Sequence, residues 1–295
     1  MHKALPAVFL PCATTLGGCS EGILDPQGPI ASAERLLLFN STEIMLVVVI
    51  PVIVATLGFA WWYRASNARA YRNPGEDYEG RVEFVIWSIP ALIVILLGGV
   101  IWISTHDLDP RAPIESKVQP LQVEVVSLDW KWLFIYPDQR IAAVNQLVFP
   151  VGTPVSFRIT SATVMNSFFI PQLGSQVYAM GGMATHLNLM ADAAGEYAGI
   201  SAMFSGDGFS DMRFIAKAVS VPDFEAWVAK VSGAGPVLNQ AAYAALAKPS
   251  KAVPPTTYGS VEDKLFEHII DQTISGAGPA GSDAAWRRPV QQAGG

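Results

Sequence analysis

The chain has 295 residues, of which only 15% are charged and 51% are hydrophobic. Soluble globular chains carry about 25% charged residues, so this composition points to membrane segments. A formal net charge of −6 argues against a nucleic-acid partner, and two cysteines exclude a disulfide scaffold, an all-cysteine zinc site and an all-cysteine iron–sulfur cluster.

A short basic start, Met1-His2-Lys3, precedes a mostly apolar run from Ala4 to Leu16 and the small residues Gly17 and Gly18. That order predicts a secretory signal peptide over residues 1–18. Leu16-Gly17-Gly18-Cys19 resembles the bacterial lipobox, which implies that Cys19 is acylated and becomes the mature N-terminus, while Cys12 leaves with the leader. The plainer reading is an ordinary cleavage site with a chance cysteine. Residues 19–43 would then be a periplasmic N-terminal segment.

Ile44–Tyr63 and Phe84–Ile103 are uncharged runs of 20 residues each. As helices they would be about 30 Å long, the thickness of the hydrocarbon core, so both are expected to span a membrane. Pro51 and Pro90 would break soluble helices but are tolerated in a bundle, and Trp61, Trp62, Tyr63, Trp87 and Trp102 sit toward the ends, where amphipathic rings favour the interface. Residues 64–83 carry Arg64, Arg69, Arg72 and Arg81, against Arg35 before the first span and Arg111 and Lys117 after the second. The positive-inside rule places this loop in the cytoplasm and both ends outside, the topology a secreted N-terminus also requires.

After a linker over 104–120, the pattern changes to short β-rich runs over 121–218, broken by Gly, Pro, Asn and Asp. Candidate strands are Leu121–Ser127, Trp132–Tyr136, Gln146–Phe149, Val155–Thr160, Ser167–Ile170, His186–Met190, Tyr197–Ala202 and Phe214–Ala218. Alternation such as Val155-Ser156-Phe157-Arg158-Ile159 buries one face, and many short strands predict a β-sandwich. Over 219–275 a helical extension is expected: Val221–Val231 spaces Phe224, Trp227, Val228 and Val231 helically, and Ser260 three before Asp263 reads as the capped start of a helix carrying Leu265, Phe266, Ile269 and Ile270. The Gly-, Ala- and Pro-rich residues 276–295 read as a disordered tail.

This order of a lipidated start, two spans and a secreted sandwich resembles subunit II of the haem–copper oxidases. Three segments are similar to its ubiquinol-oxidase branch of the cytochrome bo type. They are Asp129-Trp130-Lys131-Trp132-Leu133-Phe134-Ile135-Tyr136-Pro137, Val164-Met165-Asn166-Ser167-Phe168-Phe169-Ile170-Pro171 and Gly206-Asp207-Gly208-Phe209-Ser210. The resemblance implies a membrane α-helical hairpin followed by an all-β, cupredoxin-like Greek-key sandwich and a small α-helical extension.

Copper-bearing members of that family hold a binuclear centre with a Cys-x-Glu-x-Cys-x3-His-x2-Met loop and an upstream histidine. The corresponding positions here are Ser201, Met203, Ser205, Phe209 and Met212, with Asn166 at the upstream histidine. Hydroxyls and a phenyl ring cannot replace soft donors, so the resemblance implies a degenerate copper site without metal. Six of the eight methionines (Met165, Met180, Met183, Met190, Met203, Met212) fall between 165 and 212, and thioethers can bind Cu(I); filling a core is their commoner use. His106, His186 and His268 form no ligand spacing. Trp130 and Trp132 flank Lys131 on what reads as a strand, with a packing role expected.

Glu83, at the start of the second span, matches the family position near the mouth of a proton-uptake path into subunit I, although a solvated loop-end carboxylate would read the same way. The implied function is a non-redox subunit II of a proton-pumping terminal ubiquinol oxidase in a bacterial inner membrane. Haems and Cu-B are expected in subunit I, no cofactor or catalytic centre is expected on this chain, and its partners would be the other subunits, ubiquinol and membrane lipids. The alternative is a free-standing, membrane-anchored lipoprotein with a cupredoxin-like binding domain.

Overall fold

A computed structural model describes residues 22–71, 75 and 79–275. The expected signal peptide over 1–18, Cys12, Cys19 and the expected tail over 276–295 lie outside the described residues. The described residues form two compact units, one within Ala33–Asp109 and a second that joins residues 22–32 with 110–275.

The helical unit consists of α1 (Pro29–Trp62) and α2 (Gly80–Asp107). Both are long and apolar enough to cross a membrane, and the apolar window of each is 0% buried within the chain. Each helix outruns its expected span. α1 begins fifteen residues before Ile44, because Ala31 to Thr42 has no helix breaker and Pro29 suits a first helical turn. At 34 residues α1 is about 51 Å long, well beyond a hydrocarbon core. α2 likewise starts at Gly80, so the loop expected over 64–83 ends earlier and Glu83 lies in the first turn of a helix. At the end of α1, the Arg64 guanidinium lies 4.9 Å from the Trp61 ring centre and donates to the Trp61 carbonyl at 3.0 Å. Such a pairing of cation and indole suits the boundary between lipid and water.

The second unit contains the sandwich. Its strands are β1 (Leu121–Leu128), β2 (Lys131–Tyr136), β3 (Ile141–Val144), β4 (Gln146–Pro150), β5 (Val155–Ser161), β6 (Asn166–Phe169), β7 (Val177–Ala179), β8 (Thr185–Leu189), β9 (Gly195–Ser201) and β10 (Arg213–Val219). The C-terminal arm adds α3 (Val221–Ala234), β11 (Val237–Leu238), α4 (Gln240–Leu246), β12 (Thr256–Tyr258), β13 (Ser260–Val261) and α5 (Leu265–Ser275). One sheet runs β12-β3-β2-β1-β5-β8 and the other β4-β10-β9-β6-β7. The β1–β5 and β4–β10 pairs are parallel and the other pairs in these two sheets antiparallel. This is the sandwich the strand pattern predicts, with the cupredoxin-like fold that the resemblance implies.

Between the sheets lies an aromatic core. Trp132 packs edge-on to Phe168 at 5.3 Å, and Phe168 stacks on Phe214 at 5.1 Å. Gly199 makes room for Phe214, since a Cβ there would sit 2.1 Å from its ring. Tyr136 is fully buried; its hydroxyl donates to the Val148 carbonyl at 2.9 Å and accepts from the Val148 amide at 2.8 Å, satisfying backbone groups of the edge strand β4. Burial pushes its phenol pKa upward.

β5 alternates buried and half-buried residues along Val155–Ile159 as expected of a strand with one buried face. β1 and β2 are instead buried on both faces, because the arm folds back over the outside of the first sheet. Leu238, Tyr243, Ala247, Leu265, Phe266 and Ile269 of the arm enclose Val126, Leu128, Leu133 and Ile135 in a second core. Full burial of one such large apolar side chain contributes about 1.5–3 kcal/mol.

The arm also corrects a boundary. Ser260 does not cap a helix: Ser260 and Val261 pair with Val237 and Leu238, and α5 starts only at Leu265 after Lys264 takes a left-handed φ of 61°. The true caps nearby are Asn239, whose side chain accepts from Ala242 N at 2.9 Å, and Glu262, which accepts from Gln240 N at 2.8 Å. Both serve α4, a helix the sequence pattern did not reveal.

Candidate functional site

The six residues at the copper-ligand positions come from β6, the end of β9 and the loop leading into β10. That loop turns at Gly206 (φ 109°) and closes in a short 3₁₀ turn, Phe209–Asp211. Its ends are tied by Ser201 N donating to the Met212 carbonyl at 3.3 Å and Ala202 N to the Ser167 carbonyl at 3.0 Å. The backbone therefore presents Asn166, Ser201 and Met212 toward one buried region, each no more than 5% exposed.

Within it, the Ser201 hydroxyl lies 3.0 Å from Asn166 Oδ1 and 3.3 Å from the Met203 carbonyl. Asn166 Nδ2 donates to the Val164 carbonyl at 3.2 Å, and the Ser205 hydroxyl donates to Met212 Sδ at 3.9 Å. All six positions are thus linked through protein–protein hydrogen bonds, Phe209 through its carbonyl, which accepts from Met212 N at 3.1 Å. The Phe209 side chain, which has no polar atom, turns its ring to Phe204 at 5.6 Å. The donors are hydroxyl, amide, carbonyl and thioether, a set that does not fit copper, which favours thiolate and imidazole. Among the described residues, no group of three or more His, Cys, Asp or Glu is placed to hold a metal.

Trp130 packs against the loop that carries Ser205. It sits in the two-residue turn Asp129–Trp130 between β1 and β2 rather than on a strand, at a φ of 64° that is rare for a bulky residue. The conformation is held by Trp130 Nε1 donating to the Ser205 carbonyl at 3.1 Å and by Gly208, where a Cβ would come within 2.4 Å of the indole. Trp132, by contrast, belongs to the sandwich core.

Two polar residues that the sequence gave little reason to single out fix this end of the sandwich. Lys131, 1% exposed, donates to the Lys248 carbonyl at 2.8 Å and to the Ser250 hydroxyl. Burial holds its ammonium below the usual lysine range, partly offset by the Asp129 carboxylate. Asn145 takes a φ of 54°; its Oδ1 accepts from Trp132 N at 2.8 Å and its Nδ2 donates to the Val253 carbonyl at 2.8 Å. The only sequence signals were a lysine inside an apolar run and an asparagine, a residue that tolerates left-handed turns.

Glu83 belongs to the helical unit. It lies half-buried in the first turn of α2, its amide donating to the Glu79 carbonyl at 3.0 Å. His106 packs on Trp102 at 4.7 Å, one turn away on its own helix; His186 is on β8 and His268 on α5.

Residues 137–219 match the family described as cytochrome c oxidase subunit II, periplasmic domain, and 234–276 match the COX aromatic rich motif. The chain is 52% identical over 267 residues to cytochrome bo(3) ubiquinol oxidase subunit 2 of Pseudomonas aeruginosa, covering 90% of this chain and 81% of that one. This chain belongs to the ubiquinol oxidase subunit 2 family. Ubiquinol oxidase subunit 2 of Acetobacter aceti is 48% identical, covering 90% of this chain and 87% of its own. Among solved structures, the periplasmic domain of cytochrome oxidase subunit II of Bradyrhizobium japonicum is similar at a TM-score of 0.38 and 20% identity, covering 40% of this chain and 96% of that one. As a subunit II, the chain is part of a haem–copper oxidoreductase complex, and the reading as a free-standing lipoprotein gives way.

Proposed function

We propose that this subunit II carries no electrons. In the complex, ubiquinol would be oxidised and oxygen reduced to water at haems and Cu-B held by subunit I. This chain would cover the outer face of subunit I, support assembly and bear no cofactor of its own. The observation that carries the reading is the cluster of Asn166, Ser201, Ser205 and Met212, whose polar atoms bond one another and neighbouring carbonyls and include no thiolate or imidazole.

The same reading has residues 64–79 cytoplasmic and both termini periplasmic, with an acyl group on Cys19 anchoring the mature N-terminus in the inner membrane. It makes Glu83 the group that collects protons near the entrance to subunit I. A carboxylate in the first turn of a helix is favoured by the backbone dipole, and at a membrane edge it remains in reach of water.

The test is purification of the complex in mild detergent. Quinol-dependent oxygen uptake with a haem-bearing partner, and no copper on this chain, is the expected result. Copper retained by this chain after chelation would refute the non-redox role. Glu83→Gln should slow proton uptake and turnover while the complex assembles normally; unchanged rates would remove Glu83 from the path.

A further inference from the structure

Across the outer face of the first sheet, register places Glu124 of β1 beside Arg158 of β5, and Arg158 beside His186 of β8. Over this row lies α5 of the arm. A single guanidinium nitrogen, Arg158 Nη1, donates to Glu124 Oε1 at 2.8 Å and to Glu267 Oε1 of α5 at 3.0 Å. The same guanidinium lies 4.9 Å from the ring centre of Phe266, itself 1% exposed in the second core. Two carboxylates therefore compete for one cation at the joint between sheet and arm. They are unequal: the Glu124 side chain is 11% exposed and the Glu267 side chain 45%.

We propose that Glu124, Arg158 and Glu267 form a pH-sensitive clasp that fastens the C-terminal arm to the sandwich, with Glu124 as the group that gains and loses the proton. When Glu124 is neutral, Arg158 is free to serve Glu267, and the joint carries no net charge. When Glu124 ionises, the joint holds two carboxylates against one guanidinium, one of them taken out of water. Removing a carboxylate from water disfavours its charged form, as does a like charge nearby.

Burial, with the Glu267 carboxylate adding to it, raises the Glu124 carboxyl from its ordinary 4.5 to about 7, against the opposing pull of Arg158. With the arm docked, the proton is thus held more tightly than with the arm released. Docking is accordingly strongest at acid pH, weakens as pH rises from about 4.5 through about 7, and is constant above that. The remaining charged groups around Glu124 are Arg140 of the β2–β3 turn and Glu262, Asp263 and Lys264 of the loop before α5, which line the adjoining cleft. Arg140 is paired with Asp263 at 2.9 Å, and Glu262 caps α4. His186, exposed beyond Arg158, is the imidazole of the row.

The experiment is hydrogen exchange of the α5 amides in the purified, detergent-solubilised complex, corrected for intrinsic exchange. The opening equilibrium of α5 should rise from pH 6 to pH 8 by up to about tenfold, the full factor applying where release of the arm returns the carboxyl from about 7 to its ordinary 4.5. Glu124→Gln, permanently neutral, should abolish the dependence and keep α5 protected at both pH values. Glu267→Gln should shrink it, and His186→Gln should leave it intact. A pH-independent wild type, an undiminished dependence in Glu124→Gln, or its loss in His186→Gln would each overturn the clasp.

Discussion

Asn145→Ala tests how the arm is held at the pocket end of the sandwich. The side chain is 5% exposed and joins β2 to the arm by two hydrogen bonds of 2.8 Å, one from Trp132 N and one to the Val253 carbonyl. Alanine leaves both backbone groups unpartnered in a dry setting, at about 1–3 kcal/mol each. It also puts a Cβ without a compensating polar group at a φ of 54°, which costs roughly 1–2 kcal/mol. The expected destabilisation is about 3–6 kcal/mol, allowing for partial access of water. Asn145→Gly loses the same hydrogen bonds without the backbone strain and should be about 1 kcal/mol less harmful. Thermal challenge of the purified complex followed by proteolysis of this chain measures both, and cleavage near 248–256 should appear first. An Asn145→Ala variant within about 1 kcal/mol of wild type, or identical alanine and glycine variants, would refute the reasoning.

Phe266→Ala should destabilise the arm by about 3–5 kcal/mol, read as early proteolysis of α5 with the sandwich still resistant, because the ring is buried in the second core and lies beneath Arg158. Gly199→Ala places a methyl 2.1 Å from the Phe214 ring and should cost about 1–3 kcal/mol or more, measured as a lowered unfolding temperature of the complex. Gly28→Ala directs a Cβ to within 2.2 Å of the Met190 carbonyl, so it should detach the N-terminal segment that Gln27 N fastens to the Gln172 carbonyl at 2.8 Å, raising amide exchange at residues 25–31.

Local sequence patterns match the structure where local forces decide it. Val155 to Ile159 alternates because β5 has one face in the sandwich core, and the ranges of most other strands follow from similar runs. The uninterrupted Trp132-Leu133-Phe134-Ile135 run carried more information than the expectation used: both faces of β2 are covered, the outer one by a segment about 100 residues further along the chain. Ser260 shows the converse. Its spacing to Asp263 satisfies a capping pattern, but pairing with Val237 and Leu238 overrides it, and no local signal announces that pairing. β3 has no strand signal of its own, because Ala142 and Ala143 have weak strand preference; its neighbours β2 and β12 make it a strand.

At the site, the residue types were legible and their arrangement was not. Ser201, Ser205, Asn166 and Phe209 lack the side-chain chemistry of copper ligands wherever they lie. That Ser201 turns to Asn166 and that Trp130 reaches the Ser205 carbonyl from a left-handed turn depend on contacts between positions 35 and 75 residues apart, and the Ser205 contact with Met212 needs the loop between them to turn back on itself.

The most direct test of the central claim is the metal content of this chain isolated from an active complex. The account predicts no stoichiometric copper on subunit II from a preparation that still reduces oxygen with ubiquinol. About one or more coppers per chain, surviving chelator treatment, would contradict it.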